Sequence, residues 1–303
     1  MKISMNISML YAKYTRDDKI KCMQVCKDAG FDAVDFSLTE MIDDGSEFNR
    51  DDYREIALAY RKAADEMGLE INQTHAPYSF KNWDDKDHYD NVIYPRILRS
   101  LEISSFLGAD TVVVHPLHYA EYHGAEDEWF ERNMAFYRGL IPYCREYKIR
   151  CAVENMWRRD PRRRNIVHDT CSSIPDFLRY IDTLDDECMV ACLDVGHVGL
   201  PLQDDEAHDF VRALGGKRLH ALHVHDNDYQ GDQHLLPYRG KMDWAELGRA
   251  LGEIDYDGYL TYEVGGALIA TVDDEFIPTT MKYALDVGRH IADIAERNRP
   301  GRS

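Results

Sequence analysis

Short apolar runs rich in β-branched and aromatic residues alternate with longer amphipathic runs from one end of the chain to the other. KISMNIS (2–8) precedes an amphipathic stretch from Asp17 to Ala29, and FDAVDFS (31–37) precedes one at 51–67 that stops at Gly68. EINQTHA (70–76) leads into 88–107, which stops at Gly108, and TVVVHP (111–116) leads into 127–147. RCAVENM (150–156) comes before a helix that Ser173 can cap, and CMVACLDVG (188–196) before 204–214. RLHALHVHD (218–226) precedes 243–252, whose N-cap is Asp243, and YLTYEVG (259–265) precedes a last helix at 273–296. The apolar runs have strand length and the others helical periodicity.

Eight strand-then-helix units imply parallel pairing with right-handed crossovers. Eight such units in 303 residues fit a closed (β/α)8 barrel better than an open sheet. No linker or low-complexity segment divides the chain, so one barrel domain over 1–303 is expected, with the NRPGRS tail frayed. MKISMNISMLYAKY lacks the long apolar core and small-residue cleavage site of a signal peptide and reads as a first strand. No run approaches the roughly 18 apolar residues of a membrane span. With neither GxGxxG after the first strand nor GxxxxGK[ST], no nucleotide cofactor is expected.

Charge and cysteines narrow the setting. With 36 basic against 55 acidic side chains, the net charge of −19 argues against broad attraction to nucleic acid or anionic membrane. The seven cysteines form no CxxC pair and read as reduced thiols of a cytoplasmic protein.

In a (β/α)8 barrel, chemistry gathers at the C-terminal ends of the strands. Ligand-type residues stand at six consecutive ends: His75, His115, Glu154, Asp194 with His197 in its loop, His223 with His225, and Glu263. Residues two apart along a strand face the same way, so Ala152 lies below Glu154 and Cys192 below Asp194. The same rule puts Leu219, Ala221, His223 and His225 on one face and turns His220 away. Singly, each has an ordinary structural explanation: a satisfied histidine, a buried ion pair, a helix cap. Together, carboxylates on strands five, six and eight would repel one another unless compensated, and a divalent cation is the simplest remedy. A mixed oxygen and nitrogen donor set suits Mn, Co, Zn or Mg better than Ca.

These strand ends, in the motifs HAPY, LGADTVVVHP, VENM, LDVGH, HVHDND, GDQHLLPYRGKMDW and YEV, resemble the xylose isomerase-like TIM barrels, the superfamily that also contains endonuclease IV. The resemblance to its ketose 3-epimerase branch implies one divalent metal on Glu154, Asp194, His223 and Glu263. The two glutamates would also move the substrate proton, and His197 would contact the sugar. The substrate-binding Arg of those epimerases has no counterpart here, Tyr229 standing near that point. The resemblance to endonuclease IV implies a wider ligand set that adds His75, His115, His197, Asp232 and His234. Against it, NMWRRDPRRRN replaces the small-residue loop of the DNA enzyme after Glu154, and HPLHY its glycine after the strand-four HP. Such barrels are often homo-oligomers.

The leading expectation is a metal-dependent isomerase or epimerase of a small sugar or polyol-derived carbonyl compound. Glu154 and Glu263 would remove and return a proton through a metal-stabilised enediolate. His197, His225, Trp157, Arg158, Arg239 and Lys241 are candidate substrate contacts. Loop 118–129 and the segment after Glu154 would shape specificity. The alternative is a multinuclear zinc phosphodiesterase acting on abasic DNA or another phosphodiester, with the arginines of RRDPRRR (158–164) on phosphates. A non-catalytic metal-binding protein would not need two facing glutamates.

Overall fold

In a computed structural model, which describes residues 1–78, 85–117 and 123–301, the apolar runs pair side by side as parallel strands. They are β1 (Lys2–Asn6), β2 (Ala33–Ser37), β3 (Glu70–His75), β4 (Thr111–Val114), β5 (Arg150–Glu154), β8 (Met189–Asp194), β9 (Leu219–His223) and β10 (Tyr259–Tyr262). Two further strands, β6 (Trp157–Arg159) and β7 (Ile166–His168), form a separate antiparallel pair. The large sheet runs β10-β1-β2-β3-β4-β5-β8-β9, and it nearly closes where Val224 N–H donates to Thr261 O and Glu263 N–H to Val224 O. The fold is therefore the expected (β/α)8 barrel.

Eight longer helices among the described residues surround it: α1 (Lys19–Ala29), α2 (Tyr53–Met67), α3 (Tyr94–Leu107), α4 (Glu126–Tyr147), α5 (Ile174–Leu184), α6 (Ala207–Arg218), α7 (Trp244–Glu253) and α8 (Ile277–Arg297). Their ends follow the residues that cap them. Ser173 and Asp243 accept the Asp176 and Glu246 backbone N–H groups, and Gly68 and Gly108 take the left-handed conformation that ends α2 and α3. The stretch expected to be helical from 88 starts as a π-helical turn at Tyr89–Ile93 before α3 begins. Pro95, which has no N–H to donate, falls where the backbone passes from the π-helical to the α-helical pattern. Among the described residues no helix is long and apolar enough to cross a membrane, and the seven cysteines are free and buried.

The barrel interior is divided. On one side Val113, Ala152, Val190, Cys192 and Ala221 form a small apolar cluster of their own. On the other, the interior is polar: Ser4 Oγ donates to Asn72 Oδ1 at 2.6 Å and Asn72 Nδ2 to Thr261 Oγ1 at 3.0 Å. A register shift lets Val34 pair with Ile71 but Asp35 with Gln73, making Asn72 the extra residue. The bulge puts Asn72 beside Gln73 rather than on the opposite face. A second shift pairs Ala191 with Leu219 and Cys192 with Ala221, making His220 the extra residue. Strict alternation therefore fails at this point: Leu219 packs in the large core and only Ala221 joins the inner cluster. His220 turns outward, as expected, and bonds the Lys217 carbonyl.

The RRDPRRR segment is a hairpin rather than an irregular loop. Trp157 pairs with His168 and Arg159 with Ile166, while the Asp160 carboxylate accepts the N–H groups of Arg162 and Arg163 in the turn. Of loop 118–129, residues 118–122 lie outside the described residues, as do the last two residues of the tail.

The two ends of the chain meet at Asp32. Its carboxylate accepts Ile3 N–H at 2.7 Å and pairs with Arg289 of α8 at 2.7 Å. Burial pushes this carboxyl up, but Arg289 and Ile3 outweigh it and hold it below the ordinary carboxylate range. A depressed native value stabilises the fold above the unfolded pKa of about 4 and loses that contribution as pH falls through the native one. Asp32→Asn is expected to cost about 1 kcal/mol at pH 7, partial exposure limiting the loss, with the gap to the parent closing near pH 3. Urea unfolding at both pH values measures this, and an unchanged gap would contradict the assignment.

Candidate active site

The strands end in ligand-type side chains because each strand carries its last inward residue to the rim, above the small residues of the inner cluster. His223 Nδ1 lies at the centre of the deepest group, 3.0 Å from Glu154 Oε1, 3.4 Å from Glu263 Oε2 and 4.0 Å from Asp194 Oδ2. One donor atom from each of these four residues falls within 4.8 Å of the others. Glu154, Asp194 and His223 are buried; Glu263 is 23% exposed and faces the cavity. On its far side, His223 Nε2 sits 3.6 Å from Asp35 Oδ2.

Two further groups flank the first. His75 Nε2 and His115 Nε2 lie 3.1 Å apart, with Glu154 Oε2 3.0 Å from His115 and 3.6 Å from His75. Asp232 Oδ2 lies 3.2 Å from His234 Nε2 and 3.5 Å from His197 Nε2, and accepts Trp157 Nε1–H at 3.3 Å. Three of these imidazoles are oriented alike: Nδ1 bonds a backbone carbonyl, that of Ala76 for His75, Asn155 for His197 and Glu263 for His234. Donation from Nδ1 leaves the Nε2 lone pairs of the neutral rings directed into the site.

The donor set fits a divalent ion. Glu154 Oε2 and Asp232 Oδ1 are buried with no hydrogen-bond partner among the described residues, and two imidazole nitrogens close on one carboxylate oxygen. Oxygen and imidazole donors converging in this way suit Mn, Zn, Co or Mg.

The electrostatics agree. Burial opposes ionisation of Glu154, yet His223 and His115 hold it well below the usual range. Burial likewise opposes Asp194, which His197 and His225 hold at about 2. Burial pushes Glu263 up, and His223 and His234 only partly offset it. Burial lowers His197, His223 and His234, but the surrounding anions more than reverse it, taking His234 to about 9. His115, where burial dominates, falls to about 4.

The cavity above, about 540 Å³, is lined by His75, His115, Glu154, His197, Asp232, His234 and Glu263, with Tyr78, Trp157 and Arg158 among its walls. Other expected substrate contacts lie elsewhere. His225 does not line the cavity; it lies behind Asp194, 3.0 Å from Oδ1, and stacks on His234. Arg239 and Lys241 do not line it either: Arg239 reaches Tyr283, and Lys241 is exposed. The cause is Asp226, whose buried carboxylate accepts Gly240 N–H, Met242 N–H and Trp244 Nε1–H and folds their loop away. Arg158 lines the cavity with its Nε committed to Asp169 at 2.9 Å.

Sequence reasoning missed the residues that position the others. Asn155 exchanges two hydrogen bonds with the Asp194 backbone and gives His197 its carbonyl, tying the ends of β5 and β8 together. Asn227 Nδ2 donates to Gly196 O. Gly196 is needed here, since a Cβ would lie 1.9 Å from the His225 ring. The signal was present for Asn155, which directly follows Glu154, but what it bonds depends on a strand 39 residues away.

Comparison with known proteins agrees with this architecture. The model of the xylose isomerase-like TIM barrel family matches residues 23–283. An uncharacterized protein of Methanocaldococcus jannaschii is 26% identical over 191 residues, 62% of this chain and 62% of that protein. The chain thus spans about three-fifths of that relative. A D-psicose 3-epimerase of Enterocloster bolteae is 23% identical over 96% of this chain and 97% of its own length. The crystal structure of a D-tagatose 3-epimerase-like protein superposes with a TM-score of 0.74 at 18% identity, covering 98% of this chain and 99% of that one.

Because His197, His223 and His234 have raised values, they carry protons near pH 7 that a bound cation must displace. Affinity for Mn²⁺ is therefore expected to rise from pH 6 to pH 9, with proton release on binding. Calorimetry in two buffers of different ionisation enthalpy checks both, and pH-independent affinity would count against these protonation states.

Proposed function

We propose that the chain, which belongs to the xylose isomerase-like TIM barrel family, is a divalent-metal-dependent isomerase or epimerase of a small sugar or polyol-derived carbonyl compound. The observation that carries this reading is the convergence of Glu154, Asp194, His223 and Glu263 at the base of the cavity, two of them glutamates of opposite electrostatic character. Similarity to D-psicose 3-epimerases supports the reaction class.

A divalent ion, when bound, supplies Lewis acidity to a carbonyl and its neighbouring hydroxyl and so acidifies the C–H between them. Glu154, held anionic by His223 and His115, is suited to taking that proton. Glu263, whose carboxyl is raised by burial and open to the cavity, is suited to delivering one from another direction. Asp194 and His223 complete the ligand set, Asp35 steadying the far nitrogen of His223. His197, fixed by the Asn155 carbonyl, presents Nε2 to substrate hydroxyls, and Trp157 contributes an apolar wall.

A second reading, a multinuclear phosphodiesterase, is favoured by one observation: His75, His115 and Glu154 form a ligand group separate from the His197–Asp232–His234 group. Metal analysis separates the two, one ion per chain supporting the isomerase and three the hydrolase.

Incubation of the metal-loaded protein with ketoses and inososes in deuterated water is expected to place deuterium next to the carbonyl. Glu154→Gln and Glu263→Gln should each slow exchange by about 10²-fold or more, with metal content measured alongside because both residues hold the ion. Full turnover by a metal-replete Glu154→Gln protein would sink the proton-transfer role.

A further inference from the structure

A second cavity of about 400 Å³ opens on the same end of the barrel, built by the segments that follow β1 and β2. It meets the active-site cavity at Ser8 and Thr39, which line both. Its other walls include Tyr11, Tyr14, Arg16 and Glu40.

Two buried polar atoms of these walls have no hydrogen-bond partner among the described residues: Tyr11 Oη and Glu40 Oε2. Their situation follows from a buried lysine below. Lys19, 1% exposed, donates to Arg16 O at 2.8 Å and Glu47 Oε1 at 2.9 Å, and sits 2.8 Å from Glu40 Oε1. The three ammonium protons are thereby occupied, and Tyr60 spends its hydroxyl on Glu47 as well. Glu40, itself only 9% exposed, is left with one oxygen that nothing among the described residues satisfies. Leaving a buried acceptor and a buried hydroxyl unsatisfied is costly, so such a pair on a cavity wall is a place where water or a ligand supplies the missing bonds.

The chemistry of the walls selects the ligand. A carboxylate oxygen needs a donor, and a phenol can donate or accept, so a ligand hydroxyl serves both. Two tyrosine rings offer the apolar faces on which a sugar ring rests. Two carboxylates share the one buried lysine, and Arg16 is already paired with Asp43 at 3.1 Å, so an anionic group would be repelled.

Resting on the isomerase reading for its first compartment, we propose that this cavity is a second sugar subsite. The substrate is then a glycoside or disaccharide: its carbonyl-bearing unit lies over Glu154 and Glu263, and a neutral glycosyl unit crosses Ser8 and Thr39 to bond Tyr11 and Glu40.

The test uses the metal-loaded full chain and the keto-disaccharides lactulose, maltulose, turanose and isomaltulose, set against free fructose and fructose 6-phosphate. Binding is read by calorimetry and saturation-transfer NMR. At least one disaccharide is expected to bind about tenfold tighter than fructose. Tyr11→Phe and Glu40→Gln should each reduce that ratio about fivefold, the loss of one hydrogen bond. Tyr11→Phe keeps the ring and leaves the Lys19 ion pairs intact, so it decides the matter if Glu40→Gln unfolds. The proposal is overturned if no disaccharide outbinds fructose, if the sugar phosphate outbinds them all, or if Tyr11→Phe leaves the ratio unchanged. Failure of the reaction itself shows separately, as absent deuterium exchange alongside a retained disaccharide preference.

Discussion

Five carboxylates, Asp35, Glu154, Asp194, Asp232 and Glu263, are brought within reach of one cluster of imidazoles at the C-terminal rim of the barrel. Unbalanced negative charge in such a place is unaffordable, and every other feature of the site answers to it. Imidazoles are interleaved with the carboxylates; the Nδ1 atoms of His75, His197 and His234 are tied to backbone carbonyls, and His223 Nε2 faces Asp35. His197, His223 and His234 hold protons above their ordinary range, while burial keeps His115 below it. A divalent ion would supply the same compensation with fewer protons, which would make metal affinity and pH two views of one electrostatic requirement.

The barrel meets this requirement through size as well as charge. Ala152, Cys192 and Ala221 are small enough for the residues one pleat above them, Glu154, Asp194 and His223, to lean toward the axis. The polar half of the interior, with Ser4, Asn72 and Thr261, depends on the bulge at Asn72 to bring two amide side chains inward at successive positions. Asn155 and Asp226 act from outside the cavity. One fastens β5 to β8, and the other holds the 240–244 segment through its carboxylate and pairs its backbone with Leu235 beside His234.

Much of this was legible in the sequence because strand periodicity is a local property. Alternation about Glu154 and Asp194, together with the placement of ligand-type residues at six consecutive strand ends, specified which side chains would face the axis. Alternation misplaced Leu219, since a bulge at His220 is a property of pairing with β8 and not of β9 alone. Arg239 and Lys241 misled for a similar reason: their direction is set by Asp226, which bonds the backbone on both sides of Lys241. The arginine run concealed a hairpin because charge masks the Asp-Pro turn at its centre.

By itself, the sequence determined the eight strand–helix units, the closed barrel they imply and the inward residues at each rim, all consequences of periodicity and chain connectivity. Tertiary structure alone decided which of those residues share an ion-sized space, which nitrogen of each histidine faces it, and where Tyr11 Oη and Glu40 Oε2 stand without a partner among the described residues. The physical reason is the same in each case. Hydrogen bonds and charge compensation are settled between side chains far apart in the chain, and their partners exist only once the barrel has closed.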